Sequence, residues 1–361
     1  MKNHYIIFTI SLFALLLTSC RHDPSPAPLK FNAWENNPVI SKGEPGSWED
    51  LFVFLPHAFR QDNVFYLFYS GMKINGKYNI GLATSTDGYH FSKFGGNPVF
   101  ASDNQGFDAY GVGAAIVLKE DSVWVMYYNA AEIAGYGPGP YIGRATAKVL
   151  TGPWTSGEAP VLTAGSRGEW DAGFVVPNSI LEIEDGSYMM YYTGGADFIS
   201  WKDFSIGIAF SSDGIKWKKY NDPATTEHPF KESDPVLKTG DAGEWDCDYL
   251  WTAHVSKSSD FYEIYYMGSH IIKAEPPDNE LAAIGYATSK DGIHWEKYRG
   301  NPLYRAEDDS YTLNAGVNIF IEGPSLVSLD SICFMYYDYS SGVGKIGVAT
   351  ASVPSTRPGV P

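Results

Sequence analysis

Ile80-Gly81-Leu82-Ala83-Thr84-Ser85 decides the fold, because the chain carries this stretch in five versions. The others are Ile142-Gly143-Arg144-Ala145, Ile206-Gly207-Ile208-Ala209, Ile284-Gly285-Tyr286-Ala287 and Ile346-Gly347-Val348-Ala349. A tyrosine-rich apolar run precedes each: Tyr66-Leu67-Phe68-Tyr69, Met126-Tyr127-Tyr128, Met190-Tyr191-Tyr192, Ile264-Tyr265-Tyr266 and Met335-Tyr336-Tyr337. Three copies lead into one kind of turn: Asp87-Gly88-Tyr89-His90-Phe91, Asp213-Gly214-Ile215-Lys216-Trp217 and Asp291-Gly292-Ile293-His294-Trp295. Self-similarity at a period of some tens of residues marks a repeat architecture. A unit built of short β runs makes that array a propeller.

Working outward, alternating or continuous apolar runs bounded by Gly, Asp, Asn and Ser turns place the inner strands. They are predicted over 52–60, 111–118, 174–181, 249–256 and 319–328, with the other strands of blade one at 64–70, 78–85 and 91–94. No segment has a helical period. Blade five lacks an outer strand, since a Pro-rich end follows Ala349. Phe31-Asn32-Ala33-Trp34 and Asn37-Pro38-Val39-Ile40 resemble the outer-strand ends at Asn97-Pro98-Val99-Phe100 and Asn301-Pro302-Leu303-Tyr304. The expected fold is therefore an all-β, five-bladed β-propeller closed by an N-terminal strand that completes the last blade and hides its edge.

Residues 1–19 read as a lipoprotein signal peptide. Lys2 supplies a small positive region, and the apolar stretch 5–17 is short for a membrane span. Leu17-Thr18-Ser19-Cys20 resembles a bacterial lipobox, which implies lipidation of Cys20 and a cell-envelope location. Residues 20–30 hold three prolines and read as a tether, leaving 31–361 as the propeller domain. Cys247 and Cys333 sit in different repeats, too few for a disulfide scaffold or a zinc site; no metal is expected from them, and a single bridge stays open. Acidic residues outnumber basic ones 42 to 26, a formal charge of −16. That disfavours nucleic acid and anionic membranes, both of which need clustered Lys and Arg.

Antiparallel strands put the blade-to-blade connections and the strand 2–3 loops on one face. The longest of these loops, 129–141, 193–205 and 267–283, carry Tyr136, Asp197, Trp201, Asp203 and His270 as candidate contacts. On this face the connections end in Trp48-Glu49-Asp50, Phe107-Asp108, Trp170-Asp171 and Trp245-Asp246. Counted back from Pro56, Ala114 and Pro177, Asp50, Asp108 and Asp171 share a register. Such aspartates either cap backbone amides at the strand entrance or converge on the funnel for acid–base work on a glycosidic bond. Blade five departs from the repeat with Ile321-Glu322-Gly323-Pro324, where the other blades have Phe54, Val112, Val175 and Leu250. A lone acid among apolar neighbours either gains a raised pKa suited to proton donation or is held by a structural bond. His57 and His254 follow the proline position of their strands, as backbone-bonded core histidines, ligands of an ion or water, or sugar-binding groups.

These residues together resemble the five-bladed propeller glycosidases of glycoside hydrolase families 43, 32, 117 and 130. The shared features are the Tyr-Tyr run, Ile-Gly-x-Ala, Asp-Gly-x-x-Trp, Asn-Pro-Val and Gly152-Pro153-Trp154. Glu322-Gly323-Pro324 resembles the family 43 motif that carries the general acid, although Leu55-Pro56 stands where that family's Asp-Pro pair carries the base. The resemblance implies a glycoside hydrolase releasing a terminal furanoside, pentose or anhydro-sugar, with inversion. Glu322 is then the acid, Asp50 the base or nucleophile, and Asp171 an orienting group. His57, Asp108, Asn178, Asp246, His254, Trp201 and His270 would bind the oligosaccharide or polysaccharide. No cofactor is required, with room for a structural ion such as calcium in the central channel, and the membrane is met only through the lipid. A family 130 phosphorylase and a non-catalytic carbohydrate-binding propeller are the alternatives; for the former, Arg60, Arg144 and Arg167 are the scattered cations.

Overall fold

The computed structural model describes residues 25–354 apart from 75, 132–136, 184, 259, 273–278, 310, 313–319 and 340–343. Cys20 and Tyr136 lie outside the described residues. Five antiparallel sheets form a ring around a central channel. Their inner strands are Phe52–Gln61, Gly111–Glu120, Phe174–Glu182, Tyr249–Ser258 and Ile321–Leu329. Asn32–Ala33 and Ile40–Ser41 pair with Lys345–Ser352, so the N-terminal segment does complete blade five.

The repeat is intelligible bond by bond. The glycine of Ile-Gly-x-Ala lies under the second tyrosine of its blade: a Cβ added at Gly81 would sit 2.5 Å from Tyr69 Cζ, and one at Gly207 2.6 Å from Tyr192 Cζ. That tyrosine ring is flanked by the aromatic of the blade connection, as Trp48 on Tyr69 and Trp170 on Tyr192. Its hydroxyl donates to the neighbouring carboxylate, Tyr128 to Asp108 at 2.8 Å, Tyr192 to Asp171 at 3.2 Å and Tyr266 to Asp246 at 3.0 Å. Asn97 and Asn301 act as substitute strands. Asn97 accepts from Leu82 N and donates to Leu82 O, both at 2.9 Å, and Asn301 does the same at Tyr286. Asn37 makes the equivalent bonds to Val348 from the far end of the chain, at 2.9 and 3.0 Å.

The first tyrosine of each pair works between blades. Tyr127, Tyr191 and Tyr336 donate to the glycine carbonyls of the Asp-Gly turns at Gly214, Gly292 and Gly88, each in the next blade round. Those glycines have φ of +68°, +78° and +81°, a region that L residues rarely adopt. At the other two junctions the described residues show no such turn and latch. At blades one and two, Phe68 packs edge-on against Trp154. At blades four and five, Tyr265 instead accepts from Leu29 N at 3.2 Å.

Two expectations need correction. The end of the supposed tether is part of the fold. Leu29 and Phe31 are buried against Tyr265 and its neighbours, and Tyr286 donates to Pro26 O at 3.1 Å. Apolar Leu29 and Phe31 fill the crevice beside Tyr265. Second, 267–283 is mostly not a loop. The second and third strands of blade four run on as Phe261–Ile272 and Asn279–Ser289, paired from Met267↔Ile284 to Ile272↔Asn279. The two cysteines are free, Cys333 buried and Cys247 half-buried.

Candidate active site at the propeller mouth

Every inner strand carries a bulge at mid-length, which shifts its register against the second strand. The pairings make His57, Ile116, Ser179, His254 and Ser325 equivalent, because their partners are Phe68, Tyr127, Tyr191, Tyr265 and Tyr336. Glu322 therefore shares its position with Phe54, Gly113, Val176 and Trp251, one residue further on in blades two to four than the spacing suggested. Blade five remains the one with an acid there. The cavity at the mouth, of about 90 Å³, is lined by Phe54, Tyr78, Asn129, Val176, Phe198 and Trp251 among others. Trp201 joins this aromatic wall, 4.5 Å from Phe198 and 5.4 Å from Tyr249 between ring centres, and stays 36% exposed. An amphipathic, partly wet aromatic face of this kind suits a sugar ring.

The aspartate register also shifts. Glu49, Asp108, Asp171 and Asp246 each stand eight residues before His57, Ile116, Ser179 and His254 (57−49, 116−108, 179−171, 254−246). Glu49, not Asp50, is the counterpart of Asp108 and Asp171, and the acid that follows the aromatic of each connection was the signal for it. Lys93 pairs with Glu49 at 2.5 Å, Lys219 with Asp171 at 2.5 Å and Lys297 with Asp246 at 2.7 Å. Asp309 plays the part in blade five, holding the hydroxyls of Tyr337 and Tyr339. Asp171 is 0% exposed, so this clamp keeps it from a substrate. Burial also pushes the Asp108 carboxyl up. Asp50 turns back on its own loop, where Oδ2 accepts from Gly46 N at 2.7 Å.

The histidines lie past the bulge, away from the mouth. His57 Nε2 is 3.1 Å from Val117 O, and His254 Nδ1 accepts from Leu326 N at 3.3 Å. Loss of hydration lowers their pKa values to about 4 and about 3, so both rings are neutral. Between them and the mouth a cavity of about 30 Å³ is lined by Leu55, Pro56, Asn178, Thr252, Ala253 and Pro324 among others. Asn178 donates to Thr193 Oγ1 at 2.9 Å. Asn178 and Thr252 supply the side-chain oxygens of this lining, to which backbone carbonyls and water add for an ion of calcium's kind. Asp197 caps its own turn, accepting from Ile199 N and Ser200 N, while Asp203 N donates to Asp248 O at 2.7 Å. His270 stands beside Cys247 and Asp248.

Sequence reasoning missed Asp338. It pairs directly with Glu322 across the first two strands of blade five, where side chains of one face lie about 4.5–5.5 Å apart at Cβ. Leu55 N donates to Asp338 Oδ1 at 3.2 Å, from the next blade. Burial raises the Asp338 pKa from 3.8 to about 7. The equivalent residues are Ser70, Asn129, Thr193 and Met267, so the departure stands one place beyond the Tyr-Tyr pair.

Comparison with known proteins supports the architecture. No protein-family model matches the chain. A glycosyl hydrolase from Bacteroides ovatus superposes with a TM-score of 0.69 and 22% identity, over 93% of this chain and 97% of that one. A structure from work on family 130 mannoside phosphorylases, described as containing hydrolases that target β-1,2 mannosidic linkages in Candida mannan, gives 0.68 and 21%, over 92% and 98%. A thermostable family 43 glycoside hydrolase gives 0.58 and 17%, over 89% and 100%. The chain thus has the fold of the five-bladed β-propeller glycosidase superfamily. Uncharacterised proteins of two Mycobacterium tuberculosis strains are 31% identical over 140 residues, 38% of this chain; the chain spans 41% of their length.

Proposed function

We propose that the protein is a glycoside hydrolase that releases a terminal sugar from an oligosaccharide at the propeller mouth. The observation that carries this reading is the carboxyl pair of Glu322 and Asp338 beside an aromatic-lined cavity. A carboxyl that keeps its proton to about pH 7, opposite a second one across the strand pair, makes a proton donor at neutral pH. Glu322 delivers the proton to the leaving oxygen, and Asp338 raises the proton affinity of the pair. Asp50 borders the end of the blade-five loop, where a Cβ on Gly344 would meet Leu51 O at 2.8 Å; it is the candidate for activating water, by inversion. Trp201 and its aromatic neighbours bind a sugar face. The neighbour from work on hydrolases that target β-1,2 mannosidic linkages in Candida mannan adds that glycan to the furanosides, pentosides and anhydro-sugars to be screened. Of the cations the phosphorylase alternative would use, Arg144 is paired with Glu120 at 2.6 Å, Arg60 donates to Asn63 at 2.6 Å in a turn on the opposite face, and Arg167 is exposed. Lipidation of Cys20 would place this activity at the bacterial cell envelope.

Glu322→Gln keeps shape and removes the proton, and should lower turnover of natural glycosides by about 10²–10⁴. Nitrophenyl glycosides, whose leaving group needs little protonation, should lose less. Sugar release should proceed without phosphate. Intact turnover of a natural glycoside by Glu322→Gln would overturn the assignment.

A further inference from the structure

On the blade-four side of the mouth, Cys247, Asp248 and His270 stand together. His270 Nδ1 lies 2.8 Å from Cys247 Sγ and 3.1 Å from Asp248 Oδ2, and Sγ is 4.0 Å from that same oxygen. Both acidic groups therefore meet one ring nitrogen. A nucleophile–base relay requires them on opposite nitrogens of the imidazole, with the carboxylate orienting the far N–H. A triangle of sulfur, imidazole nitrogen and carboxylate oxygen around a common point is instead a donor set for zinc, with a fourth tetrahedral place left open.

We propose that Cys247, Asp248 and His270 bind a zinc ion at the mouth, its open position available to water or to an oxygen of a bound saccharide. The ligands are oriented by backbone. Ile271 N donates to Asp248 Oδ2 at 2.7 Å, and Asp248 N donates to Ser269 O at 3.0 Å. Such outer bonds fix a ligand before the ion arrives. The His270 and Asp248 side chains are 30% and 16% exposed, open enough for an ion to enter. The bond from Asp203 N to Asp248 O ties the loop that carries Trp201 to the site, so the ion would stiffen the aromatic wall. On binding, the thiol S–H bond breaks, Zn–S, Zn–N and Zn–O bonds form, and the proton passes to solvent. Affinity therefore rises with pH. The site stands whether or not the mouth hydrolyses glycosides.

The test is metal titration of the chelator-stripped protein in a Cys20→Ala background, which leaves Cys247 and Cys333 as the only thiols. Zinc chloride should bind at one equivalent with release of about one proton. Cobalt(II) chloride should give a sulfur-to-metal charge-transfer band in the near ultraviolet. Cys247→Ser should abolish that band, and His270→Ala should weaken zinc by more than the roughly 10–100-fold that outer-shell partners contribute. Absence of the cobalt–thiolate band in the parent protein overturns the proposal. So does zinc affinity unchanged in both Cys247→Ser and Asp248→Asn.

Discussion

Replacing Asp338 with asparagine tests the chemistry of the mouth through stability. Asp338 is 2% exposed, and loss of hydration raises its pKa from 3.8 to about 7. Between these values the unfolded chain gives up a proton that the folded protein retains. The stabilisation from the neutral, buried carboxyl is therefore complete below the unfolded value and lost as pH rises through about 7. At about 1.4 kcal/mol per factor of ten, the full loss is at most about 4 kcal/mol. Asparagine keeps the shape and an acceptor for Leu55 N–H but has no proton to lose. Asp338→Asn should match the wild type near the unfolded pKa and exceed it above neutrality, by up to about 4 kcal/mol in urea unfolding followed across pH. Glu322 lies directly opposite, so the comparison is repeated in Glu322→Gln. A pH-independent difference, or no gain above neutrality, would refute the reasoning.

Other perturbations address the clamps, the closure and the anchor. Asp171→Asn leaves Lys219 without its buried counter-charge and should cost about 3–5 kcal/mol, measured by the same unfolding; wild-type stability would show that the repeated acids are not clamps. Asn37→Ala removes bonds to Val348 N, Val348 O, Tyr337 and Asp309, and at about 1 kcal/mol each should cost roughly 2–4 kcal/mol; a variant with an unshifted urea midpoint would contradict that closure. Cys20→Ala should shift the protein from the membrane to the soluble fraction, and an unaltered distribution would sink the lipid anchor.

The fold was legible because each repeated residue finds its partner in its own blade or the next. Gly81, Tyr69 and Asn97 name one another's environment within 28 residues, so their recurrence is structural information. The site was less legible because it depends on register. Pro56 and Pro324 occupy the second bulge position but Pro177 the first, so counting back from prolines named Asp50 where the fold uses Glu49. Asp338 and His270 meet Glu322 and Cys247 across strands, at separations that carry no spacing signal. The tether was misread because Leu29 and Phe31 look unremarkable among prolines; the crevice that buries them exists only once blades four and five are side by side.

The tyrosine latches divide the ring unevenly. Blades two, three and four are joined by Tyr127 and Tyr191, and blades five and one by Tyr336. The remaining junctions rest on Phe68 against Trp154 and on Tyr265 with Leu29. At these same two junctions a histidine, His57 or His254, bridges to the neighbouring inner strand. The latches thus divide the ring into two arcs that meet at two unlatched seams, each with inter-blade bonds of its own, Ala114 N to Ser70 Oγ at 2.8 Å and Gly323 N to Thr252 Oγ1 at 2.9 Å. The aromatic cavity spans the first seam, with Phe54 and Tyr78 on one arc and Gly111–Ala114 on the other. A rotation of one arc against the other would change the width of that cavity while leaving every tyrosine latch intact, at the expense of the bonds that cross the seams.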